Sequence, residues 1–374
     1  MNKKLNLQIL KRISAIPTAS FFEDSTRTEC EKILQELFKK NKNISWKQDK
    51  YGNLIAHYQG DKNRTNPKCL AFVVHLDHPA FHIVKGKAKI MGGLNPHILP
   101  GTKIVLHGNS SKIGKGELGQ GEKGLFDFVT KDQGKFIFAT FDLPPLSIGK
   151  DKIIRAPVLD DLASVGMSIT ALKEVVGTNL NLDLYVVFHR AEEVGFIGAY
   201  GAASSNMMVK GTFVLSVETS SYKVSEEEIA QVGGGVILRT GDRLTPVYES
   251  ACLRLLRETK KQFTGKIQEV CMNGGSCEAA LYYALGYRAA GVCLPLIAWH
   301  NNGSLENKNK IIPEGAHLDD FNSGTKYLVE IAKTLSSKPE LYSNLDQIKI
   351  TSEQQKMVAA VKKSFAGYRK QGLI

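Results

Sequence analysis

The stretch LDLYVVFHRAEEVGFIGA, residues 182–199, changes character at its centre. Leu182 to Phe188 is a near-continuous apolar run, the pattern of a strand covered on both faces. After it two glutamates, Glu192 and Glu193, stand side by side, and a small-residue helix is expected to follow. Adjacent carboxylates at the end of a buried strand repel one another unless something positive lies beside them.

Working outward, the same strand–turn–helix rhythm recurs. CLAFVVHLD from Cys69 to Asp77, TFVLSV from Thr212 and GVCLPLIAWH ending at His300 read as strands. VLDDLASVGMSITALKEVV from Val158 reads as a turn feeding a helix. Glu29 to Lys40 carries Cys30, Ile33, Leu34, Leu37 and Phe38 at helical spacing, and Thr351 to Lys370 predicts a terminal amphipathic helix. Apolar strands alternating with helices predict an α/β fold with a mostly parallel central sheet flanked by helices. Residues 82–151 break the rhythm with short alternating runs such as KIVLH and KFIFATF. Twelve of the 34 glycines fall between Gly86 and Gly149. That density of tight-turn residues predicts a small β-rich unit. The expected organisation is a discontinuous α/β domain, 1–81 and 152–374, interrupted by an inserted β-rich, barrel-like domain at 82–151.

A chain of 374 residues is long for one core. Its 43% hydrophobic and 23% charged residues are those of an ordinary globular protein. No run reaches the ~18 apolar residues of a membrane span, and the basic start reads as an amphipathic helix rather than a leader, so no membrane partner is expected. The six cysteines form no C-x-x-C pair, which predicts a reduced, cytoplasmic protein. The net charge of +12 comes from lysines scattered along the chain, a solvated surface rather than a nucleic-acid footprint.

Five segments end in candidate metal ligands. His75 and Asp77 lie two apart, so that the carboxylate can orient the imidazole. Asp160 precedes a helix, Glu192 and Glu193 follow one strand, Glu218 lies in the next, and His300 closes the last. In an open parallel sheet the strand ends share one rim, where these residues would converge. Mixed nitrogen and oxygen donors suit zinc, cobalt or manganese. Their number exceeds what one ion needs and fits two ions sharing a carboxylate, with one glutamate of the pair free to act as a base on water.

This order of H-x-D, D-D, E-E, an acid and a final H resembles the two-metal exopeptidases and their deacylase relatives. It is most similar to the TET aminopeptidases, the glutamyl- and leucyl-type enzymes that build tetrahedral shells. GGLNPHILPGTKI, residues 92–104, resembles that family's inserted β domain, and EEVGFIGA and NGGSCEAA (Asn273–Ala280) resemble its core motifs. The resemblance implies one metal on His75, Asp160 and Glu218 and a second on Asp160, Glu193 and His300, with Asp160 bridging. It also implies a cis Asp160–Asp161 peptide, Glu192 as general base and acid, and Asp77 orienting His75. The implied activity is removal of N-terminal residues from short peptides through a water shared by two divalent cations, in a dimer or a twelve-subunit shell.

Three departures stand out. Glu218 occupies a position where the family usually carries Asp, a Glu being more typical of carboxypeptidases and deacylases. The usual G-G-T-D becomes Gly274-Gly275-Ser276-Cys277, and H-S-P-x-E becomes H-N-N-G with extra residues before Glu314. A carboxypeptidase or N-acyl amino acid deacylase on the same scaffold is therefore an alternative, and a non-catalytic binding or assembly protein a second.

Overall fold

The computed structural model describes residues 3–62, 67–108, 113–205, 207–209, 211–224, 227–245, 247–306, 308–342 and 348–374. An eight-stranded sheet forms the centre, in the order 44–48, 54–59, 183–189, 69–75, 213–221, 288–296, 236–242 and 267–272. Its four middle strands run parallel. Antiparallel pairings occur at one edge and between 236–242 and 288–296. Every residue of Cys69–His75 and Asp183–His189 is buried. This is why those segments are apolar throughout instead of alternating.

The helices Leu162–Thr178, Ser250–Gln262 and Leu318–Ser337 pack together against the sheet, and Ile197–Ser204, Glu278–Ala284 and Ser352–Lys370 form a second group. Leu162–Thr178 is buried almost all round, with Ser164, Gly166 and Ser168 among its covered positions, and it ends at Asn179 in the left-handed conformation. Its burial explains a sequence with no polar face.

Residues 80–141 form a closed barrel of six strands, in the order 80–84, 87–91, 125–130, 113–122, 103–108 and 136–141. Phe81, Ile104, Leu106, Leu118, Phe126 and Phe141 fill its interior. At Gly121 a Cβ atom would lie 2.4 Å from the Phe126 ring, so the strand crosses that ring only without a side chain. The chain leaves the sheet for the barrel just after His75 and returns, through the short strands Ser147–Ile148 and Ile153–Ala156, just before Asp160.

Two strands stop earlier than their apolar runs suggest. Cys69–His75 ends before Asp77, which is drawn out of the sheet by other partners described below. Arg288–Leu296 ends four residues before His300, because Ala298, His300 and Asn301 take positive φ in a tight turn.

Candidate metal centre

His75 is the last residue of its strand, 1% exposed. Its Nδ1 lies 3.1 Å from the Asp77 carbonyl oxygen, an acceptor only, so Nδ1 carries the hydrogen and donates. The Nε2 lone pair then faces Asp160 Oδ1 at 3.5 Å, Glu218 Oε2 at 3.8 Å and Glu192 Oε2 at 3.9 Å. His300 repeats the arrangement. Its Nδ1 donates to the Gly93 carbonyl at 2.8 Å, and its Nε2 faces Glu193 Oε1 at 3.2 Å and Asp160 Oδ2 at 3.3 Å. Asp160 thus presents one oxygen to each imidazole. Its Oδ1 accepts from the Thr219 hydroxyl at 2.7 Å and its Oδ2 from the Trp299 indole at 2.6 Å. The Asp160–Asp161 peptide is cis.

A ring nitrogen 3.2–3.5 Å from carboxylate oxygens is stable with a proton on the ring or with a cation between the groups. Glu193 Oε1 is moreover buried without a hydrogen-bond partner. Donor atoms of His75, Asp160 and Glu193 lie within 4.8 Å of one another, as do those of His75, Asp161 and Glu218. The donor set therefore fits divalent cations with nitrogen and oxygen preference.

The electrostatics agree. Burial pushes Glu218 up to about 8, against the pull of His75 and with the help of Asp160 and Glu278. Burial likewise raises Glu192 and Asp161 well above the carboxylate range, Glu192 being crowded further by Glu218, Glu193 and Glu278. For the histidines burial works downward, but the surrounding carboxylates outweigh it and hold both well above their usual value. The site holds more buried carboxylates than its two imidazoles can neutralise.

Asp77 does more than face His75. Its carboxylate Oδ1 is 3.5 Å from Nδ1, while its two oxygens accept from the backbone N–H groups of Glu192 and Glu193 at 2.9 and 3.1 Å, and from Ser20 at 2.7 Å. It ties the glutamate turn to the histidine strand. These bonds, with the nearby imidazole, overcome burial and keep its pKa low.

Four supporting groups were given no role by the sequence reading. Glu314, fully buried, accepts from the backbone N–H of Leu159 at 2.7 Å, Asp160 at 2.9 Å and His300 at 2.8 Å, clasping the two segments that carry Asp160 and His300. Thr219 and Trp299 adjoin Glu218 and His300 in sequence, and that adjacency was the available signal. Asp161 enters through its position beside Asp160 and accepts from the His75 N–H at 3.3 Å. A buried pair, His189 and Glu278 at 2.5 Å, lies beneath the site.

A mostly parallel sheet flanked by helices, interrupted by a barrel next to clustered histidines and carboxylates, is the zinc-exopeptidase-like architecture. Residues 132–312 match the family M42 glutamyl aminopeptidase. Among solved structures, the TET1 peptidase of Pyrococcus horikoshii aligns at 20% identity, covering 87% of this chain and 99% of that one, with a TM-score of 0.71. An aminopeptidase of the archaeon Desulfurococcus kamchatkensis aligns at 17% identity over 93% and 99% of the two chains, with a TM-score of 0.73. A TET aminopeptidase of Thaumarchaeota archaeon SCGC AB-539-E09 aligns at 15% identity over 94% and 99%, also at 0.73. No curated protein sequence matches significantly. These likenesses agree with the TET resemblance read from the sequence, and the family match supports a hydrolase acting on peptide bonds. No helix among the described residues is long and apolar enough to cross a membrane.

Proposed function

We propose that the chain is a two-metal aminopeptidase that removes N-terminal residues from short peptides. The observation that carries this reading is the pair of imidazole Nε2 atoms converging on opposite oxygens of Asp160. His75, Asp160 and Glu218 would hold one cation and Asp160, Glu193 and His300 the other, zinc or cobalt first and manganese as a further candidate. When bound, such ions polarise the scissile carbonyl and lower the pKa of nearby water. Glu192, at the cavity wall with its pKa raised by burial, takes the proton from the attacking water and returns it to the departing amine. Asp77 holds the Glu192 and Glu193 backbone in place through the two N–H bonds described above. The inserted domain would correspond to about 82–151 within a catalytic domain of 1–81 and 152–374, its barrel strands lying between Ala80 and Phe141. Self-association is part of the proposal, since solved neighbours are described as a dodecamer and as tetrahedral or octahedral shells.

The test is hydrolysis of aminoacyl anilides and free-amine tri- to pentapeptides by protein loaded with zinc, cobalt or manganese, with metal counted per chain. Release of N-terminal residues with about two ions bound is expected. Failure to cleave any of them with any ion would refute the reading. A second reading, N-acyl amino acid deacylase or carboxypeptidase, is favoured by Glu218 in place of the family's Asp, and cleavage of N-blocked substrates alone would select it.

A further inference from the structure

The turn that carries Glu192 and Glu193 begins with a strained residue. Ala191 holds φ at +48°, in the left-handed region that alanine enters only when its surroundings impose it. Those surroundings are two carboxylates. The consecutive backbone N–H groups of Ala191, Glu192 and Glu193 all donate to buried carboxylate oxygens. Asp77 takes the second and third, as described above. The first goes to Glu23 Oε1 at 2.8 Å, an oxygen that also accepts from the Phe21 N–H at 2.7 Å. Glu23 is 2% exposed and lies 168 residues earlier in the chain than the alanine it holds.

The segment that supplies Glu23 is itself anchored on several sides. The Thr18 hydroxyl donates to the Leu76 carbonyl at 2.6 Å and the Ser20 hydroxyl to Asp77 at 2.7 Å, at the end of the His75 strand. His82 Nε2 donates to the Ser20 carbonyl at 2.9 Å, and the Phe22 ring stacks on Phe138 at 4.7 Å, both in the barrel. Phe21 packs against Tyr368 of the helix Ser352–Lys370 at 4.7 Å. Arg190, the residue before Ala191, adds a second link to the turn. Its Nη2 donates to the Phe21 carbonyl at 3.0 Å and stands 3.2 Å from Glu23 Oε2. That oxygen accepts no well-formed hydrogen bond, and Arg190 Nε makes none. The ion pair is therefore loosely made, while the bond from the Ala191 N–H is short and direct.

We infer that Glu23 is a positioning residue for Glu192. By accepting the Ala191 N–H it holds the strained start of the turn, and with it the direction in which the Glu192 carboxylate faces the cavity. The inference rests on the two-metal hydrolase reading, in which Glu192 moves the proton of the attacking water. It adds a group that touches neither substrate nor metal. Reach rather than charge is what the role requires. A base displaced by about 1 Å loses on the order of 10²-fold in rate. Substrate binding by the rest of the cavity is untouched, so the loss belongs to kcat.

Two replacements separate reach from charge. Glu23→Asp keeps the carboxylate for Arg190 and withdraws it from Ala191 by one methylene. Glu23→Gln keeps an acceptor oxygen at the same reach and gives up the charge. Both are assayed on an aminoacyl anilide that the wild type cleaves, with rates counted per folded chain and bound metal counted alongside. Amide hydrogen exchange across residues 190–196 is followed by mass spectrometry in the metal-free proteins, a readout that needs no catalysis. In Glu23→Asp, kcat is expected to fall about 10–100-fold with KM within about threefold and the metal count unchanged. Exchange at the start of the turn should be at least about tenfold faster. Glu23→Gln is expected to keep kcat within about threefold and to exchange like the wild type. A larger loss in Glu23→Gln than in Glu23→Asp assigns the role to the ion pair and overturns the inference. So does a Glu23→Asp that matches the wild type in kcat and exchange, or one whose lost activity returns once rates are counted per folded chain. If the wild type cleaves no peptide, the peptidase reading fails and exchange alone judges the hold on the turn. Faster exchange confined to Glu23→Asp then upholds it, and equal exchange in all three proteins refutes it.

Discussion

Replacing Glu314 by alanine is the most informative single perturbation of this centre. The carboxylate is fully buried and accepts three backbone N–H groups, two from Leu159 and Asp160 and one from His300. Each bond to a charged acceptor contributes about 1.5–3 kcal/mol, and each donor left buried without a partner costs a comparable amount. Water entering the vacated space recovers part of that loss, so a destabilisation of about 4–6 kcal/mol is expected in urea unfolding of the metal-free protein. Glu117→Ala, on the exposed face of the barrel, is the control and should change stability by no more than about 0.5 kcal/mol. Because the lost bonds fix the backbone of Asp160 and His300, zinc affinity measured by calorimetry should fall about 10–100-fold in whatever fraction stays folded. If Glu314→Ala unfolds within about 1 kcal/mol of the wild type and binds zinc unchanged, the clasp is not what holds these two segments.

Glu192→Gln should lower kcat by about 10²–10⁴-fold while the metal content, read by atomic absorption, stays at the wild-type count. Thr219→Val and Trp299→Phe each remove a hydrogen bond to Asp160, and each should weaken zinc binding by about tenfold or more in calorimetry. A Cβ at Gly93 would lie 2.9 Å from the His300 ring, so Gly93→Ala should reduce zinc affinity with little change in the circular dichroism of the sheet. His107, packed on Phe138 in the barrel, has its pKa lowered to about 4 by burial. The unfolded chain therefore takes up the proton first, near pH 6.5. The contribution of the neutral ring is complete above that pH and is lost as the pH falls towards 4. Roughly 1–2 kcal/mol should disappear across that window after allowing for solvent near the ring, and His107→Gln should abolish this slope in acid unfolding curves.

Much of the architecture was legible because its rules are local. The apolar runs around Phe72, Val186 and Leu215 can satisfy both faces only inside a covered sheet. The alternation of runs and glycines from Gly86 onward could not continue that pattern. The acids and histidines at the strand ends were visible for the same reason: a polar residue closing a buried run needs a partner. What stayed hidden depends on contacts distant in sequence. Glu314 lies 14 residues beyond His300, past an intervening turn, and nothing nearby marks its three backbone partners. Asp77 reads as a companion of His75, yet its carboxylate holds the turn at Glu192, 115 residues further on.

The bond from His300 to the Gly93 carbonyl gives the barrel a part in the chemistry of the sheet. That carbonyl holds the hydrogen on Nδ1 and turns Nε2 towards Glu193 and Asp160, so the orientation of His300 is set from the loop between two barrel strands. A barrel tilted by a fraction of a bond length would leave every residue in place and still turn the imidazole out of register. Excision of 80–141 would therefore remove the acceptor that orients the His300 ring, and the sheet could not keep the same arrangement on its own.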